Sequence, residues 1–220
     1  SGSVSGTSIN SSNLTGSSLG YFVMANAAPV ITLSSSNPAV SSGNISQGAS
    51  KQVIYKFTLA ISTGNANLTQ VSFITTNSSA SDIDKYQLWF NNADNFSTSQ
   101  QIGNNITTSL GSGTHTFSGL NQNIDINTTG YLWITADVTE SATPGNTIRV
   151  STAISTSDIL FSYGSKSGTA YSGNNQTIIG APTLSVNSSS LSGFYYFDGN
   201  GPSSYQSFNL SGLNLTGAPN

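Results

Sequence analysis

Side chains alternate in character along one stretch of the sequence, Tyr131-Leu132-Trp133-Ile134-Thr135-Ala136-Asp137-Val138-Thr139. Successive residues of a β-strand point to opposite faces of the sheet, so the even-numbered positions share one face. These positions are all aliphatic up to Val138, and an aliphatic face must lie against a core. The stretch therefore predicts the central strand of a β-sandwich, against which the other strands pack.

Comparable stretches recur along the chain, with turn residues such as Thr143-Pro144-Gly145-Asn146 between them. They return about every 8 to 15 residues, which is typical of an all-β sandwich. Two of them, 114–117 and 124–126, predict separate short strands. No segment shows a sustained helical period. The sequence thus predicts an Ig-like or jelly-roll-type antiparallel β-sandwich with partial repeat segments on either side.

Composition limits the classes of function. Charged residues make up 6% of the 220 residues, with 5 basic and 8 acidic side chains and a net charge of −3, whereas soluble domains usually carry about 25%. Phosphate recognition needs clustered Lys and Arg, so nucleic acid is not expected as a partner. No apolar run approaches the roughly 20 residues that span a bilayer. There is no Cys, so the core must supply the stability.

A change in composition at Gly180-Ala181-Pro182 suggests a domain boundary. We expect residues 1–28 to be a lead-in or the end of a preceding module, 29–180 to form the sandwich domain, and 181–220 to begin a following Ig-like module. The opening residues lack the basic and apolar regions of a signal peptide. The chain is therefore expected to be an interior segment or a processed form.

The two flanking segments resemble each other. Ser185–Gly193 matches Ser8–Gly16 at six of nine positions, the others being Val/Ile, Ser/Asn and Ser/Thr exchanges, and aromatic residues follow both. Self-similarity at a fixed spacing is the signature of a tandem array. Chance similarity in a chain rich in Ser and Asn is the alternative.

Two parts of the sequence resemble known families. The run Tyr131–Asn146 resembles the domain that precedes BNR-repeat sialidases in Bacteroidetes, and this similarity covers residues 30–179. It also includes, in order, Lys51–Ile61, Asn67–Thr76, Asp82–Phe90 and Phe96-Ser97-Thr98.

The segment from Leu191 to Gly217 is similar to the opening of an Ig-like repeat found in Bacteroidetes surface proteins exported by the type 9 secretion system. Together the resemblances imply a β-sandwich module of a long secreted adhesin or filament-like protein. They do not imply sialidase activity, because the sequence contains no BNR Asp-box repeat.

Catalytic chemistry is not expected, and the protein is predicted not to be an enzyme. The single histidine, His115, lies in Gly113-Thr114-His115-Thr116, at a predicted turn-to-strand position. It is interpreted as an exposed strand residue and not as part of a Ser/His/Asp catalytic arrangement. With one His and no Cys, a zinc site is not expected. No cofactor is expected. The alternative is a structural Ca²⁺, with Asp82, Asp84 and Asp198 as weak candidate ligands, although no EF-hand pattern is complete.

Three aromatic residues are the candidate ligand-binding residues: Trp89, Tyr131 and Trp133. Tyr131 and Trp133 share a strand face, and a strip of Tyr and Trp rings can stack against sugars. The alternative is that these rings fill a second buried face of the sheet or a joint between modules.

The predicted function is a non-catalytic structural or adhesive module of a repetitive bacterial cell-surface or filament-forming protein. The alternative is a carbohydrate-binding accessory domain of a secreted glycosidase. An extracellular or cell-surface location is expected in either case. The expected partners are neighbouring modules or copies of the same protein, with glycans as a further class.

Overall fold

A computed structural model describes residues 27–187, 190, 192–199, 201–202, 205 and 207–215. The predicted lead-in 1–28, apart from its last two residues, lies outside the described residues, as does Ser8–Gly16. The strands, in chain order, are β1 (Val30–Ser35), β2 (Gly43–Ser46), β3 (Gln52–Ser62), β4 (Ala66–Thr76), β5 (Ile83–Asn91), β6 (Gln100–Ile106), β7 (Gly113–Ile124), β8 (Thr129–Val138), β9 (Thr147–Val150), β10 (Ile159–Phe161), β11 (Ser165–Thr169), β12 (Gln176–Ile179), β13 (Thr183–Val186), β14 (Tyr196–Phe197), β15 (Gly201–Pro202) and β16 (Leu210–Leu213). Short 3-10 turns lie at Ala80–Asp82 and Phe96–Thr98.

Two sheets form the sandwich, which confirms the predicted all-β fold. The first sheet has the order β11-β1-β3-β8-β5-β6, and the second has the order β10-β4-β9-β12-β2 with β7 also paired to β4. Within them, β1-β3-β8-β5 follows the A-B-E-D order of an Ig-type sandwich, and β4-β9-β12 follows its C-F-G order. Neighbours pair antiparallel except β1 with β11 and β2 with β12, which are parallel.

β8 lies at the centre of the first sheet, between β3 and β5. Leu132, Ile134, Ala136 and Val138 are all buried in the core between the sheets, as the alternation predicts. The same alternation places Tyr131 and Trp133 on the outer face of this sheet.

The chain changes sheets between β1 and β2, through a cis Asn37–Pro38 peptide bond. β1 pairs with β3 in the first sheet, whereas β2 pairs with β12 in the second. The connection therefore runs along the edge of the sandwich. Segment 171–175, which joins β11 to β12, changes sheets in the same way, and the two connections are linked by a hydrogen bond from Asn174 Nδ2 to the carbonyl oxygen of Val40 (2.8 Å).

Beyond Ile179 the described chain forms two separate ladders, β13 with β16 and β14 with β15. None of the helical segments in the described ranges has the length and apolar character needed to cross a bilayer.

β7 differs from the prediction of two short strands at 114–117 and 124–126. It is one strand, Gly113–Ile124, paired with β4 along its length. The pairing shifts register between Leu68 and Gln70, opposite the part of β7 that contains Gly119 at φ 67°. A glycine in the left-handed region lets the strand bulge and continue, so the apparent break in the apolar pattern does not end it.

His115 is not the exposed strand residue that the sequence predicted, since only 3% of it is exposed. It shares the core-facing side of β7 with Phe117, and its ring packs against Phe73 and Tyr86 at centroid distances of 5.0 and 4.7 Å. Its Nε2 lies 2.8 Å from the hydroxyl oxygen of Thr75. Burial lowers the pKa of His115 from its ordinary value of 6.5.

This burial predicts a pH-dependent stability. The unfolded chain takes up a proton on His115 below about pH 6.5, whereas the folded chain resists it, so the unfolded state binds more protons. The free energy of unfolding should therefore be full above that pH and fall as the pH drops towards the lowered pKa of the folded state. Urea denaturation at pH 7.5 and 5.0 measures the loss, whose slope is at most about 1.4 kcal/mol per pH unit.

His115→Gln is the matched variant, because it keeps a polar side chain near Thr75 but does not titrate. Its stability should change less over the same pH interval, in which no other side chain type of this sequence has its ordinary pKa. If the stability of His115→Gln depended on pH as strongly as that of the unmodified chain, the loss of stability would not come from protonation of His115.

Candidate functional site

The structure brings the three candidate aromatic residues together on the outer face of the first sheet. Trp133 of β8 pairs with Trp89 of β5 in the sheet register. The Tyr131 and Trp133 rings are stacked, with centroids 6.2 Å apart and planes 25° apart. The strip predicted from the sequence therefore exists as a contiguous group of rings.

The loop after β5 covers this strip. Phe96, in the short 3-10 turn of that loop, lies edge-on to Trp89 at a centroid distance of 5.6 Å and tilted to Trp133 at 5.9 Å. As a result only 3% of Trp133 is exposed, while Tyr131 and Trp89 are half-buried. The rings form a small second core outside the main sandwich core.

Hydrogen bonds within the loop fix the position of Phe96. Asn91 Nδ2 donates to the carbonyl oxygen of Asn95 and to the Thr98 hydroxyl, each at 2.8 Å. Asn95 caps the 3-10 turn by accepting from the Ser97 N–H at 3.0 Å. Asn side chains that bond to nearby backbone in this way stabilise tight turns, so the polar sequence of this loop determines its conformation.

Lysines complete the cover over the rings. Lys56 Nζ lies 5.7 Å from the Tyr131 ring centroid and 5.9 Å from that of Trp133, and it forms an ion pair with Asp94 of the covering loop. Lys51 Nζ lies 4.9 Å from the Trp89 ring centroid. A cation over an aromatic face is attracted by the ring quadrupole. Lys56 therefore links the loop to the rings through both its charge and its position.

Polar groups on the same face are already bonded to one another. Trp89 Nε1 donates to the Thr135 hydroxyl at 2.9 Å, and Gln87 Nε2 donates to Gln101 Oε1 at 3.0 Å. Lys85 forms an ion pair with Asp137 at 3.1 Å. The Trp89 indole N–H, which could have donated to a ligand, is thus hydrogen-bonded within the sheet.

This geometry supports packing more directly than ligand binding. A sugar can stack only on an open ring face, and the faces of Trp133 are covered in the described conformation. Stacking on it would require the loop carrying Phe96 to move. The arrangement corresponds to the second interpretation of the sequence, in which the aromatic residues fill a buried outer face.

The sequence did not identify Phe96, Lys51 or Lys56 as part of this group. The signal for Lys56 was its place within β3, on the face opposite Phe57 and Leu59, whereas Lys51 precedes the strand and carried no such signal. Phe96 carried a weaker signal, a single aromatic residue within a loop rich in Asn. Neither signal shows which face the loop covers.

The structure does not bring the three candidate calcium ligands together in one site. Asp82 is 1% exposed, and its carboxylate accepts from the Thr143 N–H at 2.8 Å and from Asn146 Nδ2 at 2.7 Å. Asp84 is exposed on β5, and Asp198 lies in the turn between β14 and β15. Among the residues that the structure describes, no three His, Cys, Asp or Glu side chains are grouped for a metal. Asp82 instead holds the turn that leads from β8 to β9.

Comparison of the sequence with protein-family models and with curated proteins finds no match.

We predict that Phe96→Ala opens the outer aromatic group. Loss of the covering ring should expose Trp133, shift the tryptophan emission maximum to longer wavelength and increase quenching by acrylamide. The chain has two tryptophans, and both lie in this group, so the signal reports on it alone. The free energy of unfolding should fall by about 1–2 kcal/mol because Phe96 is only half-buried.

Phe161→Ala is the control, since Phe161 is also half-buried but packs against the main core. It should reduce stability without moving the emission maximum. An unchanged emission in Phe96→Ala would show that the loop does not cover Trp133 in solution.

Proposed function

We propose that this chain is a non-catalytic structural or adhesive module of a repetitive bacterial cell-surface protein, located outside the cell. The observation that carries the proposal is the concentration of exposed apolar side chains in the described residues beyond the sandwich. The exposed Leu, Val, Phe and Tyr residues there are Leu184, Val186, Phe194, Tyr195, Tyr196, Tyr205, Phe208, Leu210, Leu213 and Leu215.

The register of the β13–β16 ladder supports a role in packing. Leu184 pairs with Gly212 and Val186 with Leu210, so these residues share one face, while Ser185 pairs with Ser211 and Thr183 with Leu213 on the other. β13 thus shows the apolar and polar alternation of a strand that packs on one side. A two-stranded ladder is marginally stable by itself, so burial of this face by further strands would stabilise it.

A neighbouring module of the same protein is the partner that we propose for this face. The similarity of Ser185–Gly193 to Ser8–Gly16 supports a tandem array. The resemblance of the segment Leu191–Gly217 to the opening of an Ig-like repeat points to the same arrangement. In such an array, residues from 181 onward would contribute the first strands of the next sandwich.

The alternative, a carbohydrate-binding accessory domain of a glycosidase acting through Trp89, Tyr131 and Trp133, has less support. The cover formed by Phe96 and Lys56 leaves no open Trp133 face for a sugar. We therefore propose the module role rather than ligand binding at these three residues.

The experiment measures association of the chain through the β13–β16 face. Sedimentation velocity over a concentration series should show reversible association of the unmodified chain, because exposed apolar area is removed from water on contact. Replacing both Leu184 and Val186 by Ser should abolish this association. Negative-stain microscopy should show short end-to-end assemblies for the unmodified chain alone.

Leu160→Ser is the matched control, because Leu160 is a similarly apolar, exposed residue on the sandwich itself. It should associate like the unmodified chain. A monodisperse monomer in which residues 181–215 resist protease would contradict the proposal, because that segment would then be stable without a neighbour.

A further inference from the structure

A cleft of about 250 Å³ lies at the edge of the sandwich where both inter-sheet connections pass. One wall is the β1–β2 connection, another is the segment 171–173, and residues Tyr55 and Lys56 of β3 complete it. Its volume is slightly below the roughly 300–1,000 Å³ of pockets that hold drug-sized ligands. The cleft therefore suits a unit the size of one sugar ring.

Hydrogen bonds hold the backbone of Tyr171 rigidly in the wall of this cleft. Its N–H donates to the Ser35 hydroxyl at 2.8 Å, and its carbonyl oxygen accepts from the Tyr55 hydroxyl at 2.6 Å. Burial raises the pKa of the Tyr55 phenol, which therefore keeps its proton and remains a donor. Two residues further on, the Gly173 N–H donates to the Val150 carbonyl oxygen at 2.8 Å. The Gly173 carbonyl oxygen accepts from Arg149 Nε at 3.0 Å.

The side chain of Tyr171, in contrast, projects into solvent, with 77% of the residue exposed. An aromatic ring on a fixed backbone loses little conformational freedom when a ligand stacks on it, which favours binding. Unlike the rings of the outer aromatic group, this ring has no covering loop among the described residues.

A few hydroxyl and amide groups among the lining residues of the cleft retain hydrogen-bonding capacity. The Ser36 hydroxyl donates to the Pro38 carbonyl oxygen at 2.8 Å, so its lone pairs can still accept. The Ser172 hydroxyl accepts from Arg149 Nη2 at 3.2 Å, so its hydrogen can still be donated. Asn37 also lines the cleft, and no hydrogen bond joins its side-chain amide to another described residue.

We propose that this cleft binds a neutral saccharide unit, with the Tyr171 ring stacked on the C–H face of the sugar. A sugar combines an apolar ring face with hydroxyl edges, which match the aromatic ring and the Ser and Asn groups respectively. Lys56 is the charged residue in the lining, and its ion pair with Asp94 neutralises it. Arg149 is not in the lining, and its guanidinium donates to the Ser172 hydroxyl and the Gly173 carbonyl oxygen, so an acidic sugar meets no unpaired cation in the lining.

The inference goes beyond the proposed module role and uses a different part of the molecule. Its test is titration calorimetry of the full chain with cellopentaose and mannopentaose as neutral probes, and with sialyllactose and trigalacturonate as acidic probes. At least one neutral probe should bind, and Tyr171→Ala should weaken its binding about ten-fold or more because the stacking platform is lost. Tyr171→Phe, which keeps the ring, should bind within about two-fold of the unmodified chain.

Tyr205→Ala is the matched control, since Tyr205 is 93% exposed and lies outside the cleft. It should bind like the unmodified chain, whereas Asn37→Ala should weaken binding through loss of an amide in the cleft. Circular dichroism of each variant shows whether the fold is retained. The proposal is overturned if no neutral probe binds, if folded Tyr171→Ala binds as tightly as the unmodified chain, or if the acidic probes bind more tightly than the neutral ones.

Discussion

The register of β8 between β3 and β5 is the constraint on which the rest of the structure depends. Each residue of a strand alternates between faces, so a slip of one position would turn Trp133 and Thr135 into the core and Leu132 and Ile134 out of it. Ile134 lies opposite Tyr55 on one side and Leu88 on the other, and all three are buried. β3 and β5 both pair with β8 in the register that buries Ile134. The two pairings therefore determine which residues of β8 face the core and which face outwards.

The outer face is a consequence of that register. Once the aliphatic residues occupy the core, Tyr131 and Trp133 of β8 and their neighbour Trp89 of β5 must lie outside, where water would otherwise contact them. The protein covers them with a loop of its own and with Lys56, the ion-pair partner of Asp94. Among the described residues, most of the exposed large apolar residues lie beyond the sandwich, and Tyr171 is the most exposed of those on it. The sites that we propose for contact with other molecules therefore lie at the edge of the sandwich and beyond its last strand, whereas the aromatic group on the outer face of the first sheet is covered.

The sequence predicted the features that follow from a local pattern, and the remainder needed the tertiary structure. The aliphatic alternation around Ile134 identified the central strand and the fold class. β11, Ser165–Thr169, contains no large apolar residue, and its position depends on backbone pairing with β1, which leaves no periodic signal. His115 lies two residues before Phe117 on the same face of β7, so the alternation indicates a core position. The prediction of an exposed residue followed from its polar side chain, and the hydrogen-bond partner that allows its burial, Thr75, lies on another strand. The cleft at Tyr171 combines segments that are distant in the sequence, so no local pattern could reveal it.

Hydrogen–deuterium exchange of the full chain at residue resolution tests the central role of β8 most directly. Amides that open only on global unfolding exchange slowest, and those of marginal elements exchange fastest. The amides of residues 132–136 should be among the slowest in the chain, together with their partners in β3 and β5. The amides of β13 and β16 should exchange far faster at concentrations where the chain is monomeric. Equal exchange rates for residues 132–136 and for β13 and β16 would contradict the account.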